Sequence, residues 1–127
     1  MQAPGAQART WSRTLFPSPS APAEARWFLW RTACRDDPLD DMETPVLLIS
    51  EVVSNAVRHG TKGRAIKLTV ARSDSSLRVA VRSQGRFRPP PVRRSQPGGW
   101  GLVLLQKLAR HWGIEVGADS VETWFEL

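Results

Sequence analysis

Residues 47–60 read Leu-Leu-Ile-Ser-Glu-Val-Val-Ser-Asn-Ala-Val-Arg-His-Gly. On a helix, at about 100° per residue, Glu51, Asn55 and His59 fall within one ~80° sector. Ser50, Ser54 and Arg58 lie beside them, while Ile49, Val52, Val53, Ala56 and Val57 cluster on the other side. One face is therefore committed to a core. The other presents a carboxylate, a neutral amide and an imidazole in a row. A polar face by itself is ordinary for an amphipathic helix, so the row needs support from elsewhere in the chain.

That support lies about 40 residues further on, where Gly98-Gly99-Trp100-Gly101-Leu102 opens a second apolar-periodic helix. Glycines at 98, 99 and 101 let backbone N–H groups approach a phosphate at a helix N-terminus. A plain turn before a helix would use the same residues. A carboxylate and an amide on one helix, with a glycine turn at the start of another, are together the parts of a magnesium–nucleotide site.

On these residues the chain resembles the GHKL ATPase superfamily, which includes the ATP domains of gyrase, heat-shock chaperones and histidine kinases. It is most similar to the small bacterial branch of anti-sigma factor serine/threonine kinases. Glu51-x-x-x-Asn55-Ala56-x-x-His59-Gly60 looks like that branch's N box, and Gly99-Trp100-Gly101-Leu102 like its second glycine box. The resemblance spans roughly residues 10–127. LFPSPSAPAEARWFLWRTA looks like the branch's first strand and helix, and Thr123-Trp124-Phe125-Glu126-Leu127 like its last strand.

The resemblance implies ATP and Mg2+ as cofactors, with Asn55 as metal ligand and Glu51 as general base on an attacking hydroxyl. His59, Ser83, Gly85, Gly98, Gly99, Gly101 and Leu102 join Asn55 as nucleotide-site residues. The implied partners are a sigma factor and an anti-sigma antagonist, and a homodimer is left open. Elementary chemistry agrees with this assignment. Magnesium takes oxygen ligands and keeps several waters, so one carboxamide oxygen beside the ATP phosphates is enough. Phosphoryl transfer then asks mainly for positioning and charge stabilisation. For His59, a place in the last helical turn is equally explained by the helix dipole. His111 has only that explanation.

One box departs from the pattern. The family carries Asp-x-Gly-x-Gly near the end of the strand after the hairpin, and its aspartate recognises the adenine amino group. This chain reads Val81-Arg82-Ser83-Gln84-Gly85-Arg86-Phe87. Gly85 is kept, Ser83 stands where the aspartate is expected, and Phe87 replaces the second glycine. Two functional classes follow: a kinase of the anti-sigma type, or a degenerate ATPase-fold module that regulates by protein contact alone.

The remaining sequence sets the frame. The 127 residues, 41% hydrophobic and 24% charged, suit one globular domain, and no apolar run approaches the ~18 residues of a membrane span. The N-terminus lacks the apolar middle of a signal peptide, which predicts a cytoplasmic location. A single cysteine, Cys34, excludes an internal disulfide and a cysteine metal cage, and is read as a small buried residue. The net charge of +6, from fifteen arginines and three lysines against twelve acids, favours an acidic partner, a nucleotide or nucleic acid. No recognition-helix or aromatic–basic ribbon supports the last of these.

Residues 1–9 are expected as a disordered tail preceding a domain over 10–127. Trp11–Phe16 predicts an edge strand, Pro22 to about Arg35 a helix, and Thr44 or Asp41 to His59 the polar-row helix. In the first helix the stripe Ala23, Trp27, Trp30 and Cys34 reads as core, with an interface as the alternative. Alternation at 66–70 and 77–82 predicts a hairpin. Residues 83–98, with Arg86, Arg88, Arg93 and Arg94 around three prolines, read as a loop serving as lid or docking surface. A helix from Leu102 to Trp112, stopped by Gly113, and strands at 114–116 and 121–125 complete the order. The expected fold is α/β: a two-layer sandwich with a mixed, mostly antiparallel sheet covered on one face by three helices.

Overall fold

A computed structural model describes residues 8–85 and 101–127. Its elements run β1 (Arg9–Leu15), α1 (Ala21–Arg31), α2 (Glu43–His59), β2 (Ile66–Arg72), β3 (Leu77–Gln84), α3 (Gly101–Leu108), β4 (His111–Val116) and β5 (Ser120–Glu126). The strands form one sheet in the order β1-β2-β3-β5-β4. Residues 1–7 of the expected tail, and Arg86–Arg94 of the expected loop, lie outside the described residues. Arg9, expected in the tail, instead pairs with Arg72 and extends the β1–β2 ladder by one position.

The α/β two-layer architecture is as expected, with one correction. Every described strand pair is antiparallel, so the sheet is not mixed. The reason is topological. β3 and β4 point the same way across the α3 crossover, but β5 inserts between them and takes both sets of ladder hydrogen bonds.

Period-two alternation sends Ile66, Leu68 and Val70 of β2, Leu77, Val79 and Val81 of β3, and Phe125 of β5 to one face, all buried. Against it pack Leu48, Ile49, Val52 and Val53 of α2, Ala21, Ala25 and Leu29 of α1, and Leu105 of α3. At about 1.5–3 kcal/mol per fully buried aliphatic side chain, this layer dominates the folding energetics. α2 is central, touching α1, α3 and β3.

Three local readings are corrected. The α1 stripe facing the core is Ala21-Ala25-Leu29, two positions away from Ala23-Trp27; Trp27 and Trp30 are 67% and 43% exposed. The helix ends at Arg31 and not near Arg35: the Thr32 hydroxyl donates to Phe28 O at 2.6 Å, and the chain then turns so that Cys34 is buried beyond it. α3 stops at Leu108, so Trp112, Gly113 and His111 belong to β4. Gly113 is therefore no helix stop. It pairs with Trp124, and a Cβ there would lie 2.8–2.9 Å from the indole. Only glycine leaves room for the ring.

The α1–α2 connection is tied down by Arg72 at the end of β2. Its Nη1 donates to Ala33 O at 2.9 Å and to the Asp37 carbonyl, and its Nη2 pairs with the Asp37 carboxylate at 3.2 Å. α2 is capped from outside its first turn: Asp41 accepts from the Thr44 N–H (3.2 Å) and hydroxyl (2.5 Å). Those bonds hold the Asp41 carboxyl below its usual pKa. Burial pushes the Cys34 thiol up, against an opposing pull from Arg72. Among the described residues no helix is long and apolar enough to cross a membrane.

Candidate functional site

Because Leu48, Ile49, Val52 and Val53 are locked in the core, α2 has no freedom to rotate, and its opposite side is set by them. Glu51 and Asn55 emerge half-buried at the rim and His59 is exposed. The Glu51 carboxylate makes no hydrogen bond to another described residue. Asn55 does: the Arg58 guanidinium, one turn on, donates from Nη2 to Asn55 Oδ1 at 2.5 Å. The carboxamide oxygen is the ligand type that magnesium takes, but here it is already engaged by Arg58, which an ion would have to displace. This contact was readable in principle from the i, i+3 spacing, but Arg58 had no assigned role.

Ser50 belongs to a different neighbourhood. Its hydroxyl bonds Val46 O and accepts from Arg26 of α1 at 3.0 Å, tying the two helices together. The functional row is thereby narrowed to Glu51, Asn55 and His59.

The C-terminal end of α2 is fastened to the end of β3. Gly60 caps the helix in an extended conformation, with its N–H on Ala56 O at 2.9 Å. The Thr61 N–H then donates to Gln84 O at 2.8 Å. A Cβ on Gly60 would come 2.6 Å from Ala56 O and 3.4 Å from the Ser83 Cβ, so the close approach requires glycine here. Gly85 has φ of +134°, a region that favours glycine, and its N–H donates to Asp119 O at 2.8 Å. The fold therefore brings His59, Ser83 and Gly85, far apart in sequence, to one corner.

At this corner Ser83 is half-buried, at the position where the resemblance leads one to expect the family's adenine-binding acid. A hydroxyl is shorter than a carboxylate and carries no charge. By chemistry, the Asn55 carboxamide oxygen is of the type that would fit a magnesium ion, whereas the Ser83 hydroxyl does not supply the acid expected for adenine. Among the described residues no group of three or more His, Cys, Asp or Glu could hold a metal unaided.

α3 begins at Gly101 and packs against α2. Leu102 is half-buried against the core and acts there as packing. Gly98, Gly99 and Phe87 lie outside the described residues. Away from the polar row, α1 and the start of α2 enclose an open groove of about 870 Å3, lined by Trp27, Trp30, Arg26, Arg31, Arg35 and Val46.

These features define an ATPase-type fold with an N-box helix, and the chain belongs to the histidine kinase-like ATPase domain family, whose model matches residues 20–125. It is similar to a solved structure of the RsbU and RsbW domains of Rv1364c from Mycobacterium tuberculosis, with a TM-score of 0.68 and 25% sequence identity. That match covers 93% of this chain and 32% of the other, so the present chain corresponds to about a third of that longer protein. A search of curated proteins found no match.

Proposed function

We propose that the protein is an ATP-binding regulatory domain of the anti-sigma kinase type, controlling transcription through a sigma factor or its antagonist. The supporting observation is the core-locked α2, which carries Glu51 without a hydrogen-bond partner among the described residues and Asn55 one turn on, and whose end is fastened to Ser83–Gly85. Likeness to the structure of the RsbU and RsbW domains of Rv1364c supports the same branch.

In this reading Asn55 would hold Mg2+ beside the nucleotide phosphates, and the ion would supply charge neutralisation at the transferring phosphoryl group. Glu51, one turn earlier, accepts the proton of an attacking serine or threonine hydroxyl. His59 and Ser83 border the nucleoside end. The groove between Trp27 and Trp30, ringed by Arg26, Arg31 and Arg35, offers the partner an apolar floor and a cationic rim. Exposed indoles and guanidinium groups are the residue types that anchor protein interfaces.

The alternative, a binding module without kinase activity, is favoured specifically by Ser83. Calorimetry with Mg-ATP separates the two readings. Under the kinase reading, Asn55→Ala abolishes magnesium-dependent nucleotide binding, because a methyl cannot ligate the ion. Glu51→Ala spares binding and loses phosphoryl transfer to the partner. Absence of ATP binding to the wild-type protein, with partner capture intact, would establish the module instead.

A further inference from the structure

At the corner where the end of α2 meets the end of β3, the backbone donors are already engaged. The Gly60 N–H is on Ala56 O, the Thr61 N–H on Gln84 O, and the Gly85 N–H on Asp119 O. Gly60 and Gly85 offer no side chain. Sheet alternation puts Val81 and Ser83 on the helix-covered face, with Thr123 and Val121 directly opposite them on β5. The two hydroxyls therefore lie on one diagonal and the two valines on the other. Ser83 and Thr123 are both half-buried, and the Ser83 hydroxyl makes no hydrogen bond to another described residue.

The acids nearby are placed otherwise. The register sets Glu122 and Glu115 in line with Arg82, on the face turned away from the helices. Asp119 meets the corner through its carbonyl and has an exposed side chain. Glu51 precedes His59 by eight residues, about 12 Å along the axis of α2. The side chains that the described corner offers to a base are thus neutral.

We infer that this site takes purine nucleoside triphosphates without reading the group at position 6 of the base, so that a 6-oxo purine is accepted as well as adenine. The inference rests on the nucleotide reading above, with the base beside Ser83. Its reason is the chemistry of a hydroxyl. A carboxylate is an acceptor only: it accepts from an amino group at position 6 and repels a carbonyl there. A hydroxyl both donates and accepts, and its hydrogen turns to suit. Ser83 accepts from the amino group of adenine and donates equally well to the carbonyl of guanine or hypoxanthine. Where its shorter side chain leaves a gap, a bridging water has the same double character. Discrimination needs a group that the wrong base leaves unpaired or repelled. Neither Ser83 nor Thr123 is such a group.

Calorimetric titration of the full chain with Mg-ATP and with Mg-ITP tests this. Hypoxanthine carries a carbonyl where adenine carries its amino group, and lacks the further amino group of guanine. The two Kd values of the wild type should agree within about tenfold, the span of one neutral hydrogen bond. Ser83→Ala weakens both nucleotides by a similar factor, about two- to tenfold, and leaves their ratio unchanged. Ser83→Asp moves the ratio toward ATP by about tenfold or more. Asn55→Ala abolishes binding of both. The wild-type ratio decides by itself should a Ser83 variant fail to fold by circular dichroism. A wild-type preference for ATP beyond about tenfold overturns the inference and leaves the nucleotide reading standing. Binding of neither nucleotide overturns both. Equal binding that survives Asn55→Ala takes place outside this site and overturns the inference as well.

Discussion

Ser83→Asp puts a carboxylate at the end of β3, beside the C-terminus of α2, and two opposing effects follow that can be read separately. Without nucleotide, the new charge sits near the negative end of a helix whose cap, Gly60, would place a Cβ 3.4 Å from that of Ser83. A like charge at a helix end costs about 0.3–1 kcal/mol. For a domain of this size that lowers Tm by roughly 1–4 °C. With nucleotide, the same carboxylate can accept a hydrogen bond from the adenine amino group. A hydrogen bond to a charged acceptor contributes about 1.5–3 kcal/mol, equivalent to roughly 10- to 150-fold in Kd.

Calorimetric titration with Mg-ATP reads the second effect, and thermal melts with and without nucleotide read the first. Mg-GTP is the control, since guanine presents a carbonyl oxygen where adenine presents its amino group and should gain nothing. The expected outcome is tighter ATP binding, unchanged or weaker GTP binding, and a slightly lower melting point without ligand. A folded variant whose ATP affinity is unchanged or reduced, or whose gain is equal for GTP, refutes the placement of adenine at Ser83.

Arg72→Met keeps the aliphatic stem and removes the donors to Ala33 O and the Asp37 carbonyl. The exposed Asp37 carboxylate adds little, so the loss is about 2–3 kcal/mol, seen as a Tm drop of roughly 6–12 °C; no change would deny that this arginine holds the α1–α2 connection. Asp41→Ala removes the α2 cap and lowers Tm at neutral pH. Because the folded Asp41 pKa is depressed by its Thr44 bonds, its contribution is complete above the unfolded value near 4 and fades as pH falls through the lower folded value. The gap between wild type and variant should therefore narrow in melts taken below about pH 4, and a gap that widens there contradicts the assigned cap.

The sheet and the polar-row helix were legible because their signals are periodic and local. Ile66-x-Leu68-x-Val70 and Leu77-x-Val79-x-Val81 declare a half-buried hairpin, and the apolar positions of 48–53 fix which side of α2 faces outward. What failed was decided between elements. Ala23-Trp27-Trp30-Cys34 has helical spacing and large side chains, yet the small stripe Ala21-Ala25-Leu29 packs inward, where α1 crosses α2 closely. Trp112-Gly113 reads as a helix end until Gly113 is seen lying under Trp124, a cross-strand contact invisible to any window along the chain. The all-antiparallel pairing depends likewise on β5 entering between β3 and β4.

For the site, the row Glu51-Asn55-His59 followed from spacing alone, whereas the corner uniting Gly60, Ser83 and Gly85 needed the fold. The two features that weaken a nucleotide site can then be ranked by magnitude. Arg58 occupies Asn55 Oδ1, but an exposed side-chain bond one turn apart on a helix is worth only about 0.2–0.5 kcal/mol, little for a divalent ion to displace on the proposed reading. The acid missing at Ser83 is worth several times more, about 1.5–3 kcal/mol. On the proposed reading, the balance between kinase and binding module is therefore set at Ser83. On that reading Ser83 is the described residue that separates the two, while Glu51 and Asn55 on α2 are of the types that phosphoryl transfer would use.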